Sequence, residues 1–145
     1  PLSEGFAVFR EFLQIKPDLH VGGQVRNGTT KGIDENALAA YNAPFPDDDH
    51  KQGVRQFPNL VPGTPRTPSA EPNKEAWKIL REWKKPFLCA FSDKDPIFSG
   101  VENSFYKLIP GCKDMPHVTI EDAGHFLQED QPEACVDAIL SIKDI

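Results

Sequence analysis

From residue 76 onward the apolar residues change period repeatedly, and this order narrows the possible folds more than any other feature. Ala76, Trp77, Leu80 and Trp83 recur at helical spacing. Phe87-Leu88-Cys89-Ala90-Phe91 is an unbroken apolar run of strand length, read as buried. Val101 to Ile109 reads as a helix with Gly111 as its stop, and Val118-Thr119-Ile120 as a second short strand. Pro132 suits the first turn of a last helix, whose buried face is Ala134, Cys135, Ala138, Ile139 and Ile142. Strands alternating with helices imply an α/β arrangement, with parallel strands joined by right-handed crossovers. Two parallel strands cannot cover both their faces. This part is therefore expected to need a further piece of sheet, an N-terminal half that the sequence does not supply.

Before residue 63 the pattern is helical but broken. Phe6, Phe9 and Phe12 or Leu13 mark one face of a short helix, with Ser3 as its cap. Asp34 can cap a second helix carrying Leu38 and Tyr41, stopped by Pro44 and Pro46. A third is expected from about Asp48 to Phe57, ending at Pro58. Gly63 to Ser69, with Pro65 and Pro68, form a stiff connector. The expected organisation is a helical cap or lid over residues 1–66, incomplete at its start, and an α/β core over residues 67–145.

Composition removes several classes of function. A net charge of −6 argues against a general nucleic-acid surface, which needs clustered Lys and Arg. No apolar stretch approaches the roughly 20 residues of a membrane helix, so no membrane partner is expected. No secretory leader is visible, and a cytoplasmic location is expected. The chain opens at Pro1 rather than Met, so an upstream segment is also expected. Cys89, Cys112 and Cys135 lack the paired short spacing of zinc ligands and read as small buried apolar residues in a reducing compartment.

Two polar residues sit just beyond the two strands, where open α/β sheets place their chemistry. Asp95 follows the first run in Ser92-Asp93-Lys94-Asp95-Pro96, and His125 follows the second in Asp122-Ala123-Gly124-His125-Phe126. A histidine can move protons near neutral pH but needs a fixed tautomer, which a carboxylate on Nδ1 supplies. Asp93 is the competing acid. His117 reads as structural or exposed. His50 lies beside Asp47-Asp48-Asp49, a patch that suits a helix start better than a metal, because consecutive side chains diverge.

The order acid then histidine matches the last two members of a hydrolase triad, and a nucleophile should precede them. No G-x-S-x-G is present. Gly32-Ile33-Asp34-Glu35-Asn36 comes nearest, but it lacks the second glycine and follows no buried strand, so Asp34 reads as a helix cap.

Tyr41-Asn42-Ala43-Pro44-Phe45-Pro46-Asp47 and Gly53-Val54-Arg55-Gln56-Phe57-Pro58 resemble the cap of haloalkane dehalogenases. Phe87 through Ile97 and Ala123 through Glu129 resemble the acid and histidine segments of the same family, within the α/β-hydrolase superfamily. The resemblance covers essentially the whole chain. It implies a partial α/β-hydrolase fold, its C-terminal strands and helices preceded by a helical cap. It also implies that an aspartate upstream of Pro1 displaces halide from an apolar haloalkane. His125, oriented by Asp95, would then activate water against the alkyl-enzyme ester. No cofactor or metal is implied. Phe6, Phe9, Phe57, Pro58 and Val61, with Ile97 and Phe98 beyond the acid, match positions that line the family's tunnel. One departure stands out: Phe9 occupies the position where this group commonly carries a halide-holding Trp. An epoxide hydrolase needs lid tyrosines, and only Tyr41 lies in the cap. The same fold would also suit a carboxylesterase with a serine nucleophile, or a catalytically inactive fragment.

Overall fold

The computed structural model describes residues 4–142. The helices are α1 (Glu4–Ile15), α2 (Val21–Asn27), α3 (Glu35–Asn42), α4 (Gln52–Gln56), α5 (Ala70–Leu80), α6 (Glu102–Leu108), α7 (Leu127–Asp130) and α8 (Pro132–Ser141). The strands are β1 (Ala90–Ser92), between α5 and α6, and β2 (Val118–Ile120), between α6 and α7. The chain divides into two compact units, residues 1–27 with 33–75, and residues 28–32 with 76–145.

The first unit is helical. In α1, Leu13 is buried, as its spacing from Phe6 and Phe9 predicts. The expected cap Ser3 lies outside the described residues. Asp34 caps α3, accepting the Ala37 amide at 2.8 Å. The expected helix over 48–57 is instead three pieces: a 3-10 turn at Asp49–Lys51, then α4, then a 3-10 turn at Phe57–Leu60. Pro58 therefore does not end the run; it sits near the start of the last turn, where its missing N–H costs nothing. Arg55 holds these pieces to α1, donating to the Leu13 carbonyl at 2.5 Å and to Asp48 at 2.7 Å.

Helix α2 was not expected. Gly22 and Gly23 at its start are poor helix formers. What holds it is tertiary: the Gly22 amide donates to Asn42 Oδ1 at 3.0 Å, and a Cβ at Gly22 would lie 2.8 Å from the Leu38 carbonyl oxygen.

In the second unit β1 and β2 pair in parallel, with Ala90 opposite Val118, Phe91 opposite Thr119 and Ser92 opposite Ile120. Helix α6 forms the crossover between them. β2 falls where the sequence places it, but β1 starts three residues later than expected. Phe87 is extended yet bonds to a turn, its amide donating to the Gly111 carbonyl at 3.0 Å. β1 is also only half-buried, because a single strand flanks it. Gly111 does not stop α6. The helix ends at Leu108, with Ile109 extended after it, and Gly111 lies in a following 3-10 turn, where an added Cβ would sit 2.0 Å from the Lys85 carbonyl oxygen.

Two small cores cover the sheet. Cys89, Ile109 and Cys112 pack with Trp77, Leu80, Phe87, Phe91 and Phe105. Ile120, Ala123 and Ala138 pack with Leu88, Ala90, Leu127 and Ala134. Four residues of the expected apolar helix stripes are exposed: Ala76 and Trp83 of the first, and Ile139 and Ile142 of the last. Trp83 lies past the end of α5 rather than on it. The apolar stripes are longer than the described sheet can cover.

Candidate active site

The turn after β1 carries Asp95 and the turn after β2 carries His125, so the parallel register brings both to one edge of the sheet. Asp95 is 7% exposed, and its two oxygens have separate tasks. Oδ1 accepts the Ile97 amide at 2.7 Å, which closes the Asp-Pro turn and fixes the carboxylate. Oδ2 lies 3.0 Å from His125 Nδ1. An ionised carboxylate only accepts, so the proton is on Nδ1 and Nε2 is left with a lone pair. The ring rests against Phe98, centroids 5.5 Å apart, and edge-on to Phe126 at 5.1 Å. His125 is part-exposed, so Nε2 can reach a water or a substrate atom. Asp95, Phe98, His125, Phe126 and Leu127 line an open cleft of about 350 Å³.

The competing acid is engaged elsewhere. Asp93 is exposed, and its Oδ1 accepts the Ala123 amide at 3.1 Å. That bond holds its carboxyl below the usual carboxylate range. It pins the His125 loop to the end of β1 and leaves Asp95 as the imidazole's partner.

His117 is structural. The Cys89 amide donates to its Nδ1 at 3.1 Å, and its Nε2 donates to the Cys112 carbonyl at 3.0 Å. Its ring packs on Tyr106 at 4.3 Å. His50 pairs with exposed Asp47 at 2.6 Å. Among the described residues no three His, Cys, Asp or Glu side chains converge as metal ligands. Burial, and then the neighbouring Cys112, push the Cys89 thiol up to about 12, which favours the protonated thiol.

The other tunnel candidates are placed as follows. Ile97 is half-buried and contributes the amide that fixes Asp95. In the helical unit, Phe6 and Phe9 are half-buried on α1, and Pro58 is buried. Phe57 and Val61 are exposed.

Sequence reasoning missed Asp130. It reads as one more charge in Gln128-Glu129-Asp130-Gln131, yet it is 4% exposed. Its partners at residues 30 and 31 are about a hundred positions away, so no local pattern announces it.

Over 132 residues, 91% of its length, the chain is 49% identical to a haloalkane dehalogenase from Psychrobacter cryohalolentis. The chain belongs to the haloalkane dehalogenase family. It is also 40% identical over 136 residues to a haloalkane dehalogenase from Mycolicibacterium paratuberculosis. The chain spans less than half the length of these relatives, 44% and 45%. No family model matches it. Among solved structures, the tetrameric haloalkane dehalogenase DpaA from Paraglaciecola agarilytica superposes with a TM-score of 0.86 at 28% identity, covering 100% of this chain and 48% of that one. DatA from Agrobacterium tumefaciens gives 0.76 at 17% identity, covering 99% and 52%, a likeness of fold alone. The two parallel strands and their helices are thus part of an α/β-hydrolase fold, and the solved haloalkane dehalogenases continue beyond the stretch they share with this chain.

Proposed function

We propose that this chain supplies the acid and the base of a hydrolytic dehalogenation. In this reading a carboxylate from a segment preceding Pro1 attacks the carbon of a haloalkane. A C–O bond forms, the C–X bond breaks, and halide leaves with the bonding pair. His125 Nε2 then takes a proton from water as the water attacks the ester carbonyl. Asp95 holds the Nδ1 proton and stabilises the imidazolium. The alcohol leaves, the carboxylate is regenerated, and no cofactor or metal takes part. The observation that carries this reading is the 3.0 Å contact between buried Asp95 and His125 in a chain of this family.

The cleft beside His125, with Phe98 on its wall, suits an apolar carbon chain. Phe6, Phe9, Phe57, Pro58, Val61 and Ile97 are assigned to the rest of the substrate passage by their match to the family pattern. A dry passage favours reaction of a poorly solvated carboxylate. The three free thiols support a reducing, cytoplasmic setting.

The test separates the two chemical steps, because His125 acts only on the second. The protein encoded by the whole gene, carrying His125→Ala, should release about one halide per site from a 1-haloalkane and then stop, with the alkyl ester detectable by mass. Sustained turnover in that variant would refute the assignment.

A further inference from the structure

We propose that Asp130 is the positioning residue for His125, a buried carboxylate that clamps the imidazole loop onto the segment 28–32. The inference rests on the base assignment above and adds what holds that base in place. Asp130 receives three backbone amides. Gly124 donates to Oδ2 at 2.8 Å, Thr30 to both oxygens at 2.9 and 3.0 Å, and Lys31 to Oδ1 at 3.1 Å. The Lys31 ammonium donates to the Asp130 carbonyl at 2.9 Å. Segment 28–32 belongs to the same compact unit as the His125 loop, although it lies between α2 and α3 in the sequence.

The geometry fixes the histidine from both sides. The amide before His125, that of Gly124, is held by Asp130. The amide after it, that of Phe126, donates to the Gly28 carbonyl at 3.2 Å. Thr30 Oγ1 adds a bond to the Asp122 carbonyl at 2.8 Å. With both flanking peptides tied, the backbone leaves the imidazole little freedom except about its own side-chain torsions, and Asp95 with Phe98 settles those. Only glycine fits at 124, since a Cβ there would lie 2.5 Å from the Gly28 carbonyl oxygen.

The charge of Asp130 matters as well as its shape. Burial pushes its carboxyl up, but the Gly124, Thr30 and Lys31 amides outweigh that and hold it below the ordinary carboxylate value. An asparagine has one acceptor oxygen for three N–H groups, and its own NH2 would face one of them.

The decisive variant is Asp130→Asn in the full-length protein. A proton held between Nδ1 of a histidine and a carboxylate gives a downfield NMR signal, which reports His125 directly and needs no substrate. The clamp requires that this signal broaden or vanish in Asp130→Asn while the circular dichroism stays unchanged. It also requires kcat to fall by about a hundredfold, the scale of an ångström-sized misplacement of a catalytic group, with KM moving less than about threefold. A folded variant with the signal and kcat intact overturns the proposal. If Asp130→Asn does not fold, Thr30→Pro decides: on an exposed turn it removes the amide that Asp130 accepts and the hydroxyl that Asp122 accepts, and leaves the carboxylate in place. Weakening of the same signal supports the clamp, and an unchanged signal overturns it. If the wild type shows the signal but releases no halide, the dehalogenase reading fails while the clamp is still tested.

Discussion

Two histidines in one unit show how neighbours decide what a residue does. His117 has both ring nitrogens committed to backbone groups, one as acceptor and one as donor. His125 has one nitrogen committed to Asp95 and the other left for chemistry. The two variants should therefore part cleanly. His117→Ala strands the Cys89 amide and should cost about 1–3 kcal/mol of stability, read as a lower denaturation midpoint, while ester hydrolysis persists below that midpoint. A variant that melts normally but accumulates the ester would reverse the two roles. Phe9 raises a different question: by the resemblance it would stand where an indole holds the halide, and a phenyl ring offers no hydrogen-bond donor. Phe9→Trp is expected to lower the bromide dissociation constant about tenfold or more, the worth of one charge-assisted bond. Titration of the variant's fluorescence measures this, and an unchanged constant would place Phe9 away from the halide.

Among the elements, those fixed by local chemistry were legible and those fixed by distant partners were not. β2 is marked by its β-branched residues, α3 by the Asp34 cap and α8 by Pro132, and all three stand where the sequence puts them. The Asp95–His125 contact was legible because each residue follows a strand by only a few positions. By contrast, α2 depends on Asn42 and Leu38, and the turn after α6 depends on Lys85 and Trp83. Gly111→Ala should test that turn. Its Cβ would meet main chain rather than a yielding side chain, so a loss of at least about 2 kcal/mol is expected in a melt. Full stability would mean that the turn can open at little cost.

Segment 28–32 and α7 form another such pair, and their link carries a pH dependence. The folded pKa of Asp130 lies below its unfolded value of 3.8, so its contribution is fully present above about pH 4 and fades as pH falls through the lower folded value. Asp130→Asn should therefore destabilise the protein at pH 6 more than at pH 3. An equal loss at both pH values would mean that the bonds survive protonation.

At the level of the molecule, the apolar residues outnumber the places available to bury them. Among the described residues β1 is paired along one edge only. Beside it Leu88, Ala90, Leu127, Cys135, Ile139 and Ile142 surround an open apolar cavity of about 270 Å³. Ile139 is 66% exposed, although its helix spacing assigns it to a core. A bare parallel strand with an apolar face beside it invites association, since it offers both unpaired backbone groups and area to remove from water. The solved relatives are about twice as long as the stretch they share with this chain. We therefore expect the 145 residues expressed alone to bind a dye specific for exposed apolar surface, to self-associate and to show no turnover. The protein expressed from its whole gene should bind little dye. Ile139→Lys separates the two causes, strand edge and apolar face, because a charge on that face should make the isolated chain more soluble yet destabilise the full-length protein by a few kcal/mol, the cost of a buried unpaired charge. If the isolated chain is a dye-silent monomer, the face satisfies itself. If Ile139→Lys leaves the full-length protein as stable as before, the face is not where the rest of the sheet packs.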